Sequence, residues 1–564
     1  MTDRGKRQTQ TQKQEPLHPR LPFLSFLRKQ ESRGVLLNIP IFISWCTGGK
    51  SHEGFRSTFL MAHFPAAGPV IPQYSDTATP SALSSASPPC EESRRCLAVH
   101  HALQAAGLFE STPAWRVSPV PFPLTARDLT FFEDLGPWLW SFSKALNRLY
   151  LDSVKGRQPF WVHQYLDQGK PQALLEYARM KRFREAVPQV IRPDVIPTET
   201  GMAITELDSV PGGIGITGSL SAAYGALGDA LVGGADGMID GFAALFRGRG
   251  GEEPVGGDAG GLAIVVSDEA EDYRTEMDWL AGRLRATGLD AYCVHPRDLR
   301  FTEEQRSLVP TLFAHTPSGE RPVWHVYRFF ELFDLENVPK SELLMYSARK
   351  GRVRVTPPYK PWMEEKLAFA LLHHPMLEGY WADALERDVF DSLRQVMPRT
   401  WVVDPRPLPP SAIIPDLTLD GKAVSDWRQL SQATQKQRQC VLKPSGFSEL
   451  AWGSRGVIVG HDIPQSAWVA KLEHALTSFT STPYVFQAFH KGRVYEMTYW
   501  DERTGQLASM EGRARLSPYY FVSGDEVTLG GILATVCPKD KKVLHGMRDA
   551  ILAPCALPAR QGGL

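Results

Sequence analysis

One arginine and three carboxylates with strand-like spacing lie within one short stretch of the sequence: Arg192, Asp194, Glu206 and Asp208. The stretch reads IRPDVIPTETGMAITELDSVPGGIGITG over residues 191–218. Residues two apart on a β-strand face the same side, so Glu206 and Asp208 converge, and a neighbouring strand can place Asp194 opposite them. Three carboxylates on one face repel each other unless a cation lies between them. Oxygen ligands of this kind suit Mg²⁺, which commonly binds together with nucleotide phosphates.

Arg192 lies two residues before Asp194 and can face the same site. A guanidinium in that position would neutralise phosphate charge. The alternative is that two adjacent strands simply display solvated charges, and the stretch taken alone leaves that alternative open.

A second group of residues surrounds Lys443 in VLKPSGFSELAWGSRGVIVG, residues 441–460. The lysine ends an apolar strand, and a loop follows before the next strand. Such a lysine can place its ammonium on phosphate while backbone N–H groups of the loop wrap the oxygens. The pattern is not that of a P-loop, which would continue into a helix. The alternative is a hairpin with an ordinary surface lysine. The candidate phosphate-binding residues of this loop are Ser445, Gly446, Gly453, Ser454 and Gly456.

Four further residues extend this set. Lys366 lies in PPYKPWMEEKLAFALL, and alone it would be interpreted as a solvated helical lysine. Gln487 lies in an apolar run that could lend its backbone to an adenine edge, or could be a core strand. Arg513 and Arg515 alternate on a predicted strand and share a face, where they could bind phosphate or a substrate carboxylate, or be solvated.

The elements that must position these residues follow from periodicity. Apolar residues at helical spacing predict a long amphipathic helix over residues 127–154 and a second over 168–186. Residues 262–296 have the pattern strand, helix, Gly288, strand, which predicts a βαβ unit and a parallel sheet. This unit lacks the glycine fingerprint of a dinucleotide site, so NAD is not inferred. A helix over 361–374 is predicted to carry Lys366. Later strands are predicted over 439–445, 456–460, 483–501 and 531–536.

Composition narrows the class of protein. The chain has 564 residues, of which 43% are hydrophobic and 22% charged, the balance of a soluble globular protein. Its formal net charge is zero, so no global charge favours nucleic acid or anionic membrane as a partner. Seven scattered cysteines without CxxC spacing indicate a reducing compartment, no disulfide framework and no zinc site. With no convincing membrane span or secretory signal, a cytoplasmic location is expected.

The order of the motifs resembles that of the circularly permuted ATP-grasp ligases of the glutathionylspermidine synthetase type. In that family an Arg-x-Asp and a Glu-x-Asn/Asp pair come early, a βαβ unit follows, and two ATP lysines come late. The present chain has these features in the same order, and the resemblance covers roughly residues 120–550. Asp208 departs from the pattern, because the family commonly has Asn there. The family's polyamine and glutathione contacts are not carried over.

The resemblance implies a mixed α+β and α/β fold with a circularly permuted ATP-grasp core, a pre-ATP-grasp βαβ module and a helical N-terminal part. Expected boundaries follow from these motifs and from composition. Residues 1–91 are an extension and linker with little stable structure, of which residues 1–60 are interpreted as lying upstream of the true start. The remaining predicted parts are a helical and metal-carboxylate part (92–246), a glycine-rich linker (247–261), the βαβ module (262–360) and the nucleotide-binding lobes (361–555).

The activity that the resemblance implies is ATP-dependent ligation of a small-molecule carboxylate to an amine. ATP and Mg²⁺ are the expected cofactors, with Asp194, Glu206 and Asp208 as metal ligands. Lys366 and Lys443 would hold phosphates under a glycine-rich lid, and Arg192 would stabilise the transferring phosphoryl group. Two alternatives remain open, a small-molecule kinase of the same fold and a non-catalytic nucleotide-binding protein.

Overall fold

The computed structural model describes residues 90–109, 115–208, 210–247, 261–302, 311–546 and 549–558. These residues belong to one compact unit, Ser85–Leu564. The predicted extension over residues 1–91 lies outside the described residues except for its last two positions. The predicted linker over 247–261 lies outside them except for its two ends. The domain boundaries proposed from the sequence stay predictions.

Helices dominate the first part of the described chain. The long helix α2 (Ala126–Val154) confirms the helix predicted over 127–154, and it starts where the Thr125 side chain accepts a hydrogen bond from the Asp128 backbone N–H. The helix predicted over 168–186 is shorter than expected, because Pro171 precedes α4 (Gln172–Ala178) and a 3₁₀ turn follows this helix. The α-helices are α1 (Glu91–Ala105), α2 (Ala126–Val154), α3 (Phe160–Asp167), α4 (Gln172–Ala178), α5 (Ile214–Ala226), α6 (Gly237–Ala244), α7 (Arg274–Ala286), α8 (Ser341–Lys350), α9 (Ala368–His373), α10 (Glu378–Ala384), α11 (Arg387–Val396) and α12 (Gln465–Thr477).

Strands are spread over the whole described chain and form several sheets. They are β1 (Arg116–Val117), β2 (Val190–Pro197), β3 (Met202–Asp208), β4 (Gly261–Val266), β5 (Ala291–Val294), β6 (Leu299–Thr302), β7 (Thr311–Thr316), β8 (Gly319–Phe329), β9 (Arg354–Thr356), β10 (Thr400–Val402), β11 (Thr418–Leu419), β12 (Lys422–Ala423), β13 (Cys440–Pro444), β14 (Ile458–Val459), β15 (Tyr484–Ala488), β16 (Val494–Asp501), β17 (Gln506–Ser523), β18 (Glu526–Pro538) and β19 (Ile551–Pro554).

The largest sheet joins the two ends of the described chain. Its order is β1-β19-β18-β17-β2-β3, with β16 pairing on β17. Strands β17 and β18 form a long antiparallel pair, and β2 and β3 lie beside β17. Helix α2 packs its apolar face against this sheet, so Leu135, Leu139 and Phe142 lie in the same buried cluster as Leu516 and Tyr520. Residues far apart in sequence therefore share one rigid surface.

A second sheet confirms the predicted βαβ unit. Strands β4 and β5 pair in parallel with α7 between them, and β4 also pairs in parallel with β8. The order of this sheet is β5-β4-β8-β7-β6, with β9 on β8. Loops that follow the carboxyl ends of parallel strands are a common position for ligand sites.

A third sheet has the order β10-β15-β13-β14. Residues Leu442 and Phe486 on one of its faces share a buried cluster with Trp468 and Leu472 of α12. The run predicted as strand over 483–501 divides into two strands, β15 and β16, which belong to different sheets. The protein is thus a mixed α/β structure with several sheets. None of the helices in the described ranges has the length and apolar character needed to span a bilayer.

Candidate functional site

The four charged residues of the opening stretch lie on the antiparallel pair β2–β3. Arg192 pairs with Asp208 and Asp194 pairs with Glu206, and the register shifts just after Asp194. Directly opposed residues of an antiparallel pair share a face, so the four side chains emerge on the same side of the sheet. The sequence predicted this convergence.

Each carboxylate of this cluster is bound to a side-chain cation. Arg192 Nη2 lies 2.9 Å from Asp208 Oδ2 and 3.4 Å from Asp194 Oδ1. Asp194 also accepts hydrogen bonds from Arg515 Nη1 and Ser517 Oγ, both at 3.1 Å. Glu206 forms an ion pair with Lys366. The negative charges of the cluster are therefore neutralised by cationic side chains of the same protein.

These contacts set the ionisation of the carboxylates. Burial acts against ionisation of Asp194, but Arg192 and Arg515 outweigh it and hold the pKa of Asp194 below its ordinary value. Burial likewise acts against ionisation of Glu206, but Lys366 and Lys443 lower its pKa. Burial raises the pKa of Asp208 although Arg192 opposes the shift, and the charge of Glu206 adds to the increase. A divalent cation would relieve this repulsion.

Lys366 reaches the cluster from a segment that differs from the prediction. The predicted helix over 361–374 is interrupted, with a 3₁₀ turn at Pro361–Glu364 and α9 starting only at Ala368. Glu365 between them has extended backbone angles, φ −97° and ψ 129°. Lys366 therefore lies in a connection, where neighbouring side chains can point in different directions.

Three consecutive residues of this segment, Glu364 to Lys366, contact three separate parts of the fold. Glu364 binds the buried Arg328 of β8 and accepts the Leu332 N–H at 3.2 Å. Glu365 binds Lys170 at 2.5 Å and also accepts from Ser445. Lys366 binds Glu206 of β3. This connection holds the βαβ unit, the loop after β13 and the strands β2 and β3 together.

Lys443 approaches the same strand from the third sheet. Its Nζ donates to the Thr205 carbonyl at 2.7 Å and to Gln487 Oε1 at 2.9 Å. Burial lowers the pKa of Lys443 to about 8. Lys443 and Gln487 line a small cavity of about 30 Å³ that Glu206 and Lys366 also line.

A larger cavity of about 320 Å³ lies over the carboxylate cluster. Its walls come from β2 and β3, from β17–β19, from the loops after β4 and β8, and from the loop after β13. The predicted site residues that line it are Arg192, Asp194, Glu206, Asp208, Lys366, Gly446, Gly453, Ser454 and Arg515.

Only some of the predicted residues in the loop after β13 line this cavity. Gly446 packs so closely on the backbone of Glu364 that a Cβ atom would collide with its carbonyl oxygen. Gly453 and Ser454 have positive φ angles of 59° and 61° and lie in the cavity wall. Ser445 instead anchors the loop on Glu365. Gly456 packs against Pro444 and its N–H donates to the Leu450 carbonyl at 2.7 Å, outside the cavity wall.

Arg513 and Arg515 separate, although they share a strand face. Arg515 lies in the cavity wall and binds Asp194. Arg513 lies one row further along β17, where its Nε donates to the Gly492 carbonyl at 3.1 Å and its Nη1 to the Lys539 carbonyl. The backbone carbonyls of Gly492 and Lys539 thus bind Arg513, which lies outside the cavity wall.

Several residues that line the cavity or hold its walls in place were not predicted from the sequence. Ser517 follows Arg515 by two residues, so strand periodicity would have placed it on the same face. Lys170 and Glu365 form an ion pair with fully buried side chains across 195 residues, and no local pattern signals it. Ser267 and Thr535 also line the cavity, and each has a buried hydroxyl without a hydrogen-bond partner.

The donors of the cluster suit Mg²⁺ in kind. Within the described ranges, no three Asp, Glu, His or Cys side chains are already grouped as a metal site. Glu206 and Asp208 keep 29% and 26% of their side chains exposed, whereas Asp194 is 7% exposed. Both oxygens of Asp194 are engaged, and so are both of Asp208, whose Oδ1 accepts the Val210 N–H at 2.9 Å. Glu206 is therefore the most available oxygen ligand of the three predicted ones, and Asp194 is the least available.

Comparison with known proteins gives distant structural likenesses. No protein family and no curated protein sequence matches the chain. A glutathione synthetase-like effector from Globodera pallida, solved in its apo form, has a TM-score of 0.49 and 12% identity, covering 82% of this chain and 96% of that one. A candidate gamma-glutamylcysteine synthetase from Methylobacillus flagellatus KT has a TM-score of 0.36 and 10% identity, covering 71% and 87%. At these values neither likeness assigns a residue or an activity to this chain.

Proposed function

We propose that the protein is an ATP- and Mg²⁺-dependent carboxylate–amine ligase that works through an acyl phosphate. The observation that carries the proposal is the convergence of two lysines on β3. Lys366 and Lys443 lie 160 and 238 residues after the residues they bind, Glu206 and Thr205. One buried and one partly buried ammonium group beside three carboxylates and a glycine-containing loop are what a metal–triphosphate needs. The motif order supports a circularly permuted ATP-grasp core.

Lys366, Lys443 and Arg192 supply positive charge for the phosphates. In the first step an oxygen of the substrate carboxylate attacks the γ-phosphorus of ATP, the bond to the bridging oxygen breaks, and ADP leaves. The amine then attacks the acyl carbon, the C–N bond forms, phosphate leaves, and the nitrogen loses a proton. The residues of the chain act by positioning the reactants and by stabilising the charge on the phosphoryl group.

Glu206 and Asp208, with Asp194, are the residues that would hold Mg²⁺. When bound, the ion neutralises phosphate charge and fixes phosphate oxygens in place. The ion pairs Lys366–Glu206 and Arg192–Asp208 exchange partners on this proposal, so that the cations turn to phosphate and the carboxylates become free as ligands. The loop over residues 445–456 excludes water that would hydrolyse the acyl phosphate.

An ADP-release assay with pooled small acids and amines tests the proposal. We expect release that requires MgATP and both pools, and that falls at least a hundredfold in Asp194→Asn and Lys443→Ala. Arg513→Gln is the matched control, because this arginine lies on the same strand as Arg515 but outside the cavity. Equal ADP release by the native protein and both site variants would refute the assigned site.

Hydroxylamine separates the ligase from the alternatives. It captures an acyl phosphate as a hydroxamate, whose iron(III) complex is coloured, so a ligase gives hydroxamate with MgATP and the acid in the absence of the amine substrate. A small-molecule kinase gives a stable phosphorylated product without hydroxamate. A non-catalytic protein binds MgATP and releases no ADP with any acceptor.

A further inference from the structure

The larger cavity has two chemically different ends. The end on β2 and β3 carries Arg192, three carboxylates and Lys366. The other end lies on β17, β18 and β19. Five of the six lining residues of these strands are what we call the distal wall: Arg515, Ser517, Leu533, Thr535 and Leu552. The sixth, Tyr519, donates its hydroxyl to the Gly212 carbonyl at 2.7 Å. A triphosphate with its metal occupies the first end on the proposed function, which leaves the distal wall for the acid.

The distal wall is one continuous patch of the sheet. Arg515 is directly opposite Thr535, Ser517 is opposite Leu533, and Thr535 is opposite Leu552. Opposed residues share a face with Cβ atoms about 4.5–5.5 Å apart. Its members therefore contact one small molecule together.

The charges of the distal wall are few. Arg515 is its single ionised residue; its Nη1 is bound to Asp194 at 3.1 Å, and its Nε has no partner and remains for a substrate carboxylate. Leu533 and Leu552 are buried, with 5% and 4% of their surface exposed. A patch with one guanidinium and an apolar floor binds one carboxylate with an apolar body. A second carboxylate or an ammonium group held against the distal wall would find no partner among its five residues, which is unfavourable for a buried charge.

Thr535 adds a polar group beside the arginine. Its Oγ1 has no hydrogen-bond partner, and neither has Nε of Arg515. Rotation about one bond exchanges the hydroxyl and the methyl group of a threonine, so Thr535 can present either to the cavity. A hydroxyl this close to Arg515 can reach a polar substituent on the carbon next to a bound carboxylate.

We infer that the distal wall is the acid subsite and that it selects short monocarboxylic acids with an apolar, branched body, favouring those with a hydroxyl next to the carboxylate. This inference rests on the proposed ligase function. Arg515 binds the carboxylate, Leu533 and Leu552 receive the branch, and Thr535 is the specificity-determining residue.

Hydroxamate formation with MgATP and hydroxylamine tests the subsite without knowledge of the amine. The probes are 3-methylbutyrate, 2-hydroxy-3-methylbutyrate, glutarate and 4-aminobutyrate. We expect kcat/KM at least tenfold higher for the first two than for glutarate or 4-aminobutyrate. Thr535→Val should reduce the preference for the hydroxy acid over 3-methylbutyrate about tenfold, the effect of one neutral hydrogen bond. Thr535→Ser should keep the preference.

MgATP binding measured by titration calorimetry separates the two proposals. It should be unchanged in Thr535→Val and in the control Arg513→Gln. If the native protein does not bind MgATP, the proposed function fails. If MgATP binds but glutarate or 4-aminobutyrate is preferred, if none of the four acids gives hydroxamate, or if Thr535→Val leaves the preference unchanged, the acid subsite is refuted.

Discussion

Removing one partner of the ion pair between Lys170 and Glu365 should lower the free energy of unfolding strongly, because the other charge would stay buried. Nζ and Oε1 are 2.5 Å apart, and both side chains are fully buried. Glu365 also accepts from Ser445 at the start of the loop over residues 445–456, and its second oxygen has no partner. Lys170→Met therefore leaves a carboxylate in the protein interior without its countercharge.

Breaking a buried pair from one side costs about 3–5 kcal/mol, because the remaining charge stays desolvated. An exposed pair costs at most about 1 kcal/mol. Lys539–Glu511, with 56% and 57% of its side chains exposed, is the matched control pair. We expect Lys170→Met to lower the free energy of unfolding by about 3–5 kcal/mol and Lys539→Met by about 1 kcal/mol or less. Lys170→Met/Glu365→Gln should recover most of the loss, since a neutral amide still accepts from Ser445.

Urea unfolding measures these differences in free energy, with tryptophan fluorescence and far-ultraviolet circular dichroism as two probes of the same transition. Coincident transitions from the two probes justify a single free energy. A Lys170→Met protein within 1 kcal/mol of the native value, or a double variant no more stable than the single one, would contradict the reasoning.

Three further predictions concern the cavity and its supports. Glu276 of α7 accepts the backbone N–H groups of Gly213 and Ile216, two residues of the cavity wall. Burial raises the pKa of Glu276 to about 7 from 4.5, so the folded chain binds more protons and its free energy of unfolding falls as pH rises from about 4.5 to 7. Glu276→Gln should remove up to about 3 kcal/mol of this dependence, measured by urea unfolding at several pH values. Because the Lys443 pKa is about 8, MgATP affinity should decline above that pH, and calorimetry should show that Lys443→Arg abolishes the decline. Gly446→Ala places a Cβ atom against the Glu364 carbonyl, so it should displace the loop over residues 445–456 and weaken MgATP binding at least tenfold. Gly505→Ala, at an exposed turn, is the control and should leave MgATP binding unchanged.

Local patterns predicted the elements that carry their own periodicity. The long helix α2, the βαβ unit of β4, α7 and β5, and the strand pair β2–β3 all follow from spacing that neighbouring residues determine. The segment around Lys366 was predicted wrongly as a continuous helix. Its three charged side chains bind three distant partners, and those tertiary contacts outweigh the helical preference of Met363 to Lys366.

Which residues of the β2–β3 stretch share a face could be predicted from the sequence, because the two-residue period of a strand is a local property. The contacts of Lys366, Lys443 and Arg515 with this stretch could not, because they join chain segments more than a hundred residues apart. The position of Arg515 in the cavity wall, the exclusion of Arg513 and the addition of Thr535 and Leu552 depend on the register between strands of the folded sheet, which no local spacing encodes.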